Sequence, residues 1–134
     1  MLGKLIRYHD RICTLNTRFT HDDFTDIPIE DTPMGTVFYC DPPYLITMAD
    51  YNRQWNEERE TMLLSVLDHI NDSGRRFALS NCITTNGRRN TILNEWLMGN
   101  DYHVRHLTMD YGNANYQRHV KSHDDTDEIL VMNY

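Results

Sequence analysis

The chain has 134 residues, of which 40% are apolar, and this is enough for one compact domain. Its formal charge of −7 at neutral pH excludes a protein whose whole surface binds DNA, so a DNA contact requires a local basic patch or a partner. No apolar run approaches the roughly 20 residues of a membrane span, and the first residues lack the apolar core of a signal peptide.

Three cysteines, Cys13, Cys40 and Cys82, each lie in or beside an apolar run. Their spacing does not match a metal site, and buried free thiols are favoured over a disulfide. Free thiols in turn indicate an intracellular compartment.

The amino-terminal part of the chain predicts little regular structure. Residues 1–11 show no clear period, and residues 11–16 are predicted to form a short strand. Thr20 precedes two acids in the segment 20–26, which is typical of a capped helical turn. Residues 28–35 contain two prolines and are predicted to form a loop.

An apolar segment, residues 36–40, ends abruptly at Asp41-Pro42-Pro43-Tyr44. The segment is predicted to be a buried strand, because it is apolar and rich in β-forming residues. The two prolines end it, since neither can donate a hydrogen bond to a neighbouring strand and each fixes its own φ. Asp41 therefore lies at the carboxyl end of a strand, where open α/β sheets bind their ligands.

These four residues suit the handling of an amino group on a nucleobase. Such a nitrogen is a poor nucleophile because its lone pair is delocalised into the ring, so a site must hold it by its hydrogens. The Asp41 carboxylate and the Pro42 carbonyl offer two acceptors, and Pro43 keeps Pro42 extended. Tyr44 offers a flat face on which an extruded base can stack. A rigid turn that carries all of these groups favours catalysis by positioning.

A helix and a second strand follow this turn. Asn56 is predicted to cap a helix that has acids in its first turn and an apolar stripe along its length. The helix ends at Ser73-Gly74, and residues 75–80 form a strand. A strand, a helix and a strand in this order predict that the strands at 36–40 and 76–80 are parallel neighbours.

The loop at residues 45–55 is predicted to be ordered over the site. Its Trp55 packs either on a base or, the more common role for such a residue, on the sheet.

The carboxyl-terminal part is predicted to contain a short helix and a hairpin. Asn90 caps a helix that extends through Met98, and residues 102–108 and 128–133 form two antiparallel strands. The connection between these strands, residues 109–126, is too polar for a long helix, and connections of this length are often functional.

Two regions carry side chains that suit nucleic acid. Arg88 and Arg89 lie in a predicted turn, where they either meet phosphate or remain solvated. Tyr116, Arg118 and Lys121 lie in the long connection and are candidates to face DNA.

No metal site is predicted from the histidines. His103 and His106 point to opposite faces of a strand, and His119 and His123 lie in a loop without an evident carboxylate partner.

The turn at residues 41–44 resembles motif IV of the methyltransferases that use S-adenosylmethionine to modify amino groups. The longer string DPPYLITMADYN at residues 41–52, with FALSN at 77–81 and DEILVMN at 127–133, resembles the Dam-type DNA adenine methyltransferases, particularly those of bacteriophages. The resemblance covers nearly the whole chain. It implies methyl transfer from S-adenosylmethionine to N6 of adenine in DNA, in the cytoplasm of a bacterial or phage-infected cell.

The same resemblance implies a fold and several residue roles. The fold is α/β, a partial Rossmann-like methyltransferase sheet with parallel central strands and a carboxyl-terminal antiparallel hairpin. Asp23 and Phe24 match the pair that lines the cofactor's adenine pocket, together with Asp41; the alternative is a surface turn with one buried Phe. Ser80 and Asn81, with Tyr44, shape the pocket for the target base; the alternative is an ordinary polar strand end. The residues assigned to these two pockets are Asp23, Phe24, Asp41, Tyr44, Ser80 and Asn81.

The chain departs from the family pattern at the cofactor. The family's first strand ends in a Gly-rich turn, and none of the six glycines of this chain lie close together. The chain therefore resembles the carboxyl-terminal half of such an enzyme, one domain in which residues 1–35 are a remnant of the recognition and cofactor region and residues 36–134 continue from motif IV. We expect weak or absent binding of S-adenosylmethionine, and no turnover, by this chain alone.

The missing strands would leave the strand at residues 36–40 as an apolar edge, and such edges recruit partners. We expect either that a second copy or another protein pairs with this edge, or that residues 11–16 cover it.

Three functions remain open at this point. The first is an adenine-specific DNA methyltransferase, as a fragment or as one half of a split enzyme. The second is a non-catalytic, phage-type relative that acts by binding DNA or a host protein. Methylation of RNA or of a glutamine side chain is a weaker third, because the string through Asn52 resembles the DNA enzymes.

Overall fold

A computed structural model describes residues 2–47, 54–107 and 126–134 of the chain. The helices within these ranges are α1 (Leu2–Thr14), α2 (Glu57–Asp72) and α3 (Thr91–Gly99), with two 3-10 helices at Phe24–Asp26 and Ile29–Asp31. The strands are β1 (Val37–Cys40), β2 (Arg76–Thr85), β3 (Arg88–Arg89), β4 (His103–Leu107) and β5 (Asp127–Met132). Of the helices described, none is both long and apolar enough to span a membrane.

The strands form one mixed sheet in the order β1-β2-β5-β4, and β3 pairs with the end of β2. Strand β1 is parallel to β2, with Val37 opposite Arg76 and Cys40 opposite Leu79, as the strand-helix-strand pattern predicts. The remaining pairings, including the predicted pairing of β4 with β5, are antiparallel. The sheet is therefore mostly antiparallel, and the expectation of parallel central strands holds for one pair, which lies at the side of the sheet.

The predicted strand at residues 11–16 is wrong, because α1 extends through Thr14. Leu5, Tyr8 and Ile12 are spaced by three and four residues, and this helical period continues through the predicted strand. Helix α1 is exposed along almost its whole length, so this segment does not pair with β1. Within the described chain β1 remains an edge strand, with Tyr39 64% exposed.

Helix α2 forms where the sequence signals are strongest. The side chain of Asn56 accepts a hydrogen bond from the Arg59 backbone N–H at 2.9 Å, and acids occupy the first turn. Gly74 follows the helix with φ of +72°, a left-handed conformation that ends helices and that other residues adopt only with strain. The apolar stripe of α2 packs with α3 against one face of β2 and β5, and the core comprises Leu63, Leu64, Leu67, Ile70, Phe77, Leu79, Leu93, Ile129 and Val131.

A buried arginine ties the segment before β1 to the turn between α2 and β2. The Arg75 guanidinium donates to the backbone carbonyls of Glu30 and Thr32 at 2.6 and 2.8 Å, and to the Thr32 hydroxyl at 2.9 Å. Ile29, in the same segment, is buried in the core. This attachment fixes the segment that carries Phe24 against α2.

Candidate active site

The turn at residues 41–44 leaves the end of β1 with its acid accessible. Asp41 is exposed, whereas Pro42, Pro43 and Tyr44 are half-buried. The Ser80 hydroxyl donates to Asp41 Oδ1 at 2.7 Å, since the pairing of β1 with β2 brings these residues side by side. Among the residues that the structure describes, no other side chain hydrogen-bonds this carboxylate. One oxygen of Asp41 is therefore held in place, and the carboxylate remains accessible.

Two tyrosines surround the same serine. The Tyr39 hydroxyl lies 3.2 Å from Ser80 Oγ, and it is the donor there because the single Ser80 proton goes to Asp41. Burial, followed by the charges of Glu128 and Asp41, raises the pKa of Tyr44 to about 12, although its contact with the Ser80 hydroxyl opposes this shift. Tyr44 is therefore neutral at physiological pH, as a ring that stacks on a base should be.

Ser80 and Asn81 are adjacent on β2, and their side chains point to opposite faces of the sheet. Ser80 shares a face with Asp41. Asn81 is fully buried and donates from Nδ2 to Glu60 Oε1 at 3.0 Å, while its Oδ1 accepts from the Cys82 backbone N–H at 2.8 Å. The structure thus places the buried hydroxyl of Ser80, but not the Asn81 side chain, against Asp41.

Glu60 is the residue that the sequence interpretation missed. It is fully buried at the start of α2 and accepts hydrogen bonds from Trp55 Nε1 at 2.6 Å and from the amides of Asn81 and Asn90 at 3.0 and 2.8 Å. A signal was available, because Glu60 lies three and seven residues before Leu63 and Leu67, and so on the apolar stripe of the helix.

Asp23 and Phe24, the residues expected at the cofactor, lie against the start of α2. Asp23 caps the 3-10 helix Phe24–Asp26, and Arg59 Nη2 donates to its Oδ2 at 2.7 Å. This bond, followed by hydrogen bonds from Thr25, lowers the pKa of Asp23 to about 2. The Arg59 guanidinium lies 4.2 Å from the centre of the Phe24 ring, a cation–π contact.

Trp55 connects the group formed by Asp23, Phe24 and Arg59, here called the cofactor corner, to the buried Glu60. Its ring centre lies 5.9 Å from that of Phe24, with the planes inclined by 52°, while its indole N–H binds Glu60. Trp55 therefore packs inside the fold, which is the structural role considered for it from sequence.

The residues considered for DNA contact are only partly described. Asn86 and Gly87, with φ of +50° and +73°, make a tight turn that leads into the exposed Arg88 and Arg89. Arg89 donates to Asn94 Oδ1 at 2.8 Å. The other three residues lie outside the described ranges: Tyr116, Arg118 and Lys121.

No three or more His, Cys, Asp or Glu side chains are grouped to hold a metal ion within residues 2–47, 54–107 and 126–134. His106 instead contacts Asp127, with Nδ1 and Oδ1 2.7 Å apart. His119 and His123 are not among the described residues.

Residues 2–111 match the family of D12 class N6 adenine-specific DNA methyltransferases. The chain belongs to this family. This confirms the adenine-methyltransferase family that the resemblance of residues 41–52, 77–81 and 127–133 indicated. An acceptor-lined turn at a strand end is chemically suited to an amino group on a base.

The chain is similar to segments of three much longer proteins. It is 34% identical over 137 residues to the type II methyltransferase M.FokI of Planomicrobium okeanokoites, an alignment that covers 98% of the chain and 20% of that protein. It is 31% identical over 140 residues to the modification methylase StsI of Streptococcus sanguinis, covering 100% of the chain and 21% of the relative. The corresponding values for the modification methylase LlaI of Lactococcus lactis subsp. lactis are 33% over 138 residues, 95% and 21%. The chain thus spans about a fifth of the length of these relatives.

Proposed function

We propose that the chain supplies the target-adenine side of a DNA methyltransferase of the Dam type, in which the turn at residues 41–44 holds the reacting amino group. The exposed carboxylate of Asp41, with one oxygen held by Ser80, is the observation that carries the proposal. It offers an oriented acceptor at the end of β1, in the place where a base extruded from DNA would enter.

In this mechanism the protein positions the amino group and does not activate it with a strong base. Asp41 and the Pro42 carbonyl accept the two amino hydrogens, which directs the nitrogen lone pair out of the base plane toward the methyl group. S-adenosylmethionine, when bound, supplies that methyl group as an electrophile. Asp41 or water would then take the proton that the nitrogen loses after it has gained the methyl group. The neutral ring of Tyr44 stacks on the adenine throughout.

The residues present fit part of a cofactor site. Phe24 and Trp55 form an aromatic corner suited to an adenine ring, with Asp23 and Arg59 beside it. The sequence has no Gly-rich turn at which the backbone could closely approach a cofactor. We infer that a further segment, on a longer polypeptide or on a partner chain, completes this site with Asp23, Phe24 and Asp41.

The edge of β1 is the proposed place for that segment. Within the described residues β1 pairs only with β2, and Val37 and Tyr39 are 47% and 64% exposed. An unpaired edge with exposed apolar side chains favours pairing with another strand. A second copy of this chain, or a different protein, is the alternative occupant that was expected from sequence.

DNA contact is proposed at β3, after the turn at Asn86 and Gly87, and at the long connection, residues 109–126. Arg88 and Arg89 are exposed at the tight turn, and Tyr116, Arg118 and Lys121 supply further cations and an aromatic ring. Because the chain carries a net charge of −7, these local groups would provide the phosphate contacts.

Calorimetric titration of S-adenosylmethionine into the purified chain tests the cofactor part of the proposal. We expect no binding tighter than the millimolar range, because only part of the site is present. Micromolar binding would contradict this and would show that the chain, alone or self-associated, forms a complete cofactor site.

A segment exchange tests the chemistry. The chain replaces the matched segment of the M.FokI methyltransferase, and N6-methyladenine in DNA is measured by mass spectrometry for this chimera and for the same chimera carrying Asp41→Ala. We expect the Asp41→Ala chimera to lose the methylation that depends on the exchanged segment. Equal product from both chimeras, with both folded by circular dichroism, would reject a catalytic role for Asp41 and favour the non-catalytic binding function.

A further inference from the structure

A buried carboxylate at the start of α2 has no cationic partner among the residues that the structure describes. Glu60 is fully buried, and its recorded partners are the N–H groups of Trp55, Asn81 and Asn90. Burying a carboxylate is costly unless hydrogen bonds compensate for the lost water. Here three donors converge on its two oxygens from three different elements of the fold, which is a built polar network and not an isolated charge.

We propose that Glu60 is a positioning residue that couples the geometry of the cofactor corner to that of the target-base turn. This inference rests on the proposed function for the identity of the two corners. Glu60 itself reaches neither Asp41 nor the surface, so it acts only through the residues that it holds.

On the cofactor side Glu60 acts through Trp55. The indole N–H to Oε2 bond at 2.6 Å fixes the tryptophan ring, and this ring packs on Phe24. Arg59, one residue before Glu60 on α2, also contacts the Phe24 ring and binds Asp23. A change in the direction of the Trp55 ring therefore changes the shape of the corner that would receive an adenine ring.

On the target side Glu60 acts through the middle of β2, which continues to Thr85, beyond the end at residue 80 that was predicted from sequence. Its Oε1 accepts hydrogen bonds from the side-chain amides of both Asn81 and Asn90. The backbone N–H of Asn90 in turn donates to the Ile83 carbonyl at 2.9 Å. The pairing of β2 with β5 is irregular between Cys82 and Thr84, so side chains replace regular backbone pairing at this point. Holding Asn81 in place fixes its neighbour Ser80, whose hydroxyl orients Asp41.

Only a carboxylate satisfies this arrangement fully. Both oxygens accept hydrogen bonds, and a glutamine at this position would present an NH₂ group to one of the donors. Whichever donor this NH₂ group faces loses its acceptor, and the side chain must turn to relieve the clash between donors, which disturbs its bonds to the two asparagines as well as its bond to Trp55. The volume of the side chain is unchanged, so Glu60→Gln removes the coupling with little change in packing.

The experiment uses the whole chain and NMR. The chain has two tryptophans, and the second indole, that of Trp96, donates to Asp68 at 2.8 Å, which provides a matched control. We expect Glu60→Gln to move the Trp55 indole N–H signal upfield and to leave that of Trp96 in place. Asp68→Asn should move the Trp96 signal upfield and leave that of Trp55 in place.

The backbone signals then decide whether the coupling exists. We expect Glu60→Gln to move the amide signals of both Phe24 and Ser80, and Trp55→Phe to move that of Phe24 alone. The double variant Glu60→Gln/Trp55→Phe should recover the melting temperature that is lost in Glu60→Gln, because the glutamine NH₂ group then no longer faces the indole N–H. Should Glu60→Gln move only one of the two amides, or neither, the proposal is overturned.

A titration with S-adenosylmethionine at millimolar concentration separates coupling from a purely structural role. In the wild-type chain we expect the cofactor to move Phe24 and also Ser80, and in Glu60→Gln to move Phe24 alone, with affinity lowered by about tenfold. Loss of the Ser80 response with retained folding supports positioning, and an unchanged Ser80 response overturns it. If the cofactor moves neither amide in the wild type, Phe24 is not part of a cofactor site that this chain can form alone, and the variant shifts above still decide the role of Glu60.

Discussion

Ser80 and Asn81 are neighbours on one strand, yet they serve two different environments. On one face Ser80 hydrogen-bonds the accessible Asp41, beside Tyr39 at the open edge of the sheet. On the other face Asn81 is fully buried and donates a hydrogen bond to Glu60 of α2. The comparison teaches that two consecutive residues in the middle of β2 can do two things: one face orients an accessible acceptor, and the other face attaches the strand to the helix layer. Substitutions on the first face should affect chemistry, and those on the second should affect folding first.

The largest expected effect is on the exposed face. Asp41→Ala removes an acceptor that would hold the amino group in the transition state, so we expect methyl transfer by the segment-exchange protein to fall by about 10²–10³-fold. Because Asp41 is exposed, the free energy of unfolding of the chain should change by only about 0.5 kcal/mol. Urea unfolding measures the second quantity, and a large loss of stability would contradict the division between the two faces.

The largest effect on folding is expected at the buried face. Glu60→Ala leaves the Trp55, Asn81 and Asn90 donors without their acceptor, and we expect the free energy of unfolding to fall by about 3–5 kcal/mol. Glu58→Ala, an exposed acid in the same helical turn, is the control and should cost less than about 0.5 kcal/mol. Equal losses in the two variants would mean that the buried network contributes nothing to stability.

Ser80→Ala tests whether the Ser80 hydroxyl orients Asp41. It removes the donor to Asp41 while leaving Asn81 in place, so we expect about a tenfold loss of methyl transfer. Ser65→Ala on α2 is a matched control, since that hydroxyl donates only to the Thr61 carbonyl of its own helix. Activity that is unchanged in Ser80→Ala would show that orientation of Asp41 by Ser80 is unimportant.

The smallest expected effect is a pH dependence at the cofactor corner. The folded pKa of Asp23, about 2, is below the ordinary value of 3.8, chiefly because of Arg59. A lowered pKa means that the contact stabilises the fold above about pH 4 and is lost as pH falls through 2. Carboxyl NMR titration measures this, and Arg59→Gln should return the Asp23 pKa toward its ordinary value. A pKa of Asp23 that is insensitive to Arg59→Gln would contradict the assignment of this contact.

Local signals predicted the elements that depend on local energetics. The Asn56 cap, the acids of the first turn and Gly74 gave the bounds of α2, and the strand-helix-strand order gave the parallel pair β1 and β2. The prolines after Asp41 likewise end β1 where expected. The strand at residues 11–16 failed because a short apolar run was weighed without the helical spacing of the residues before it.

The candidate site was predictable in its residue types and less so in its geometry. Asp41, Tyr44 and Ser80 do lie together, because the parallel pairing sets Cys40, at the end of β1, opposite Leu79 of β2. The separation of Asn81 from Ser80 required knowing which face of β2 the helix covers. Tyr116, Arg118 and Lys121, outside the described residues, stay predictions.

The sequence by itself determined the family, the turn at residues 41–44 and the helix that follows, because a motif, a cap and an apolar stripe are written within a few consecutive residues. Only the tertiary structure decided the role of Glu60. An acid in the first turn of a helix stabilises the helix whether it is exposed or buried, so its position in the chain does not reveal its partners. Trp55, Asn81 and Asn90 come from other segments, and they meet at one carboxylate only after α2 has packed onto the sheet.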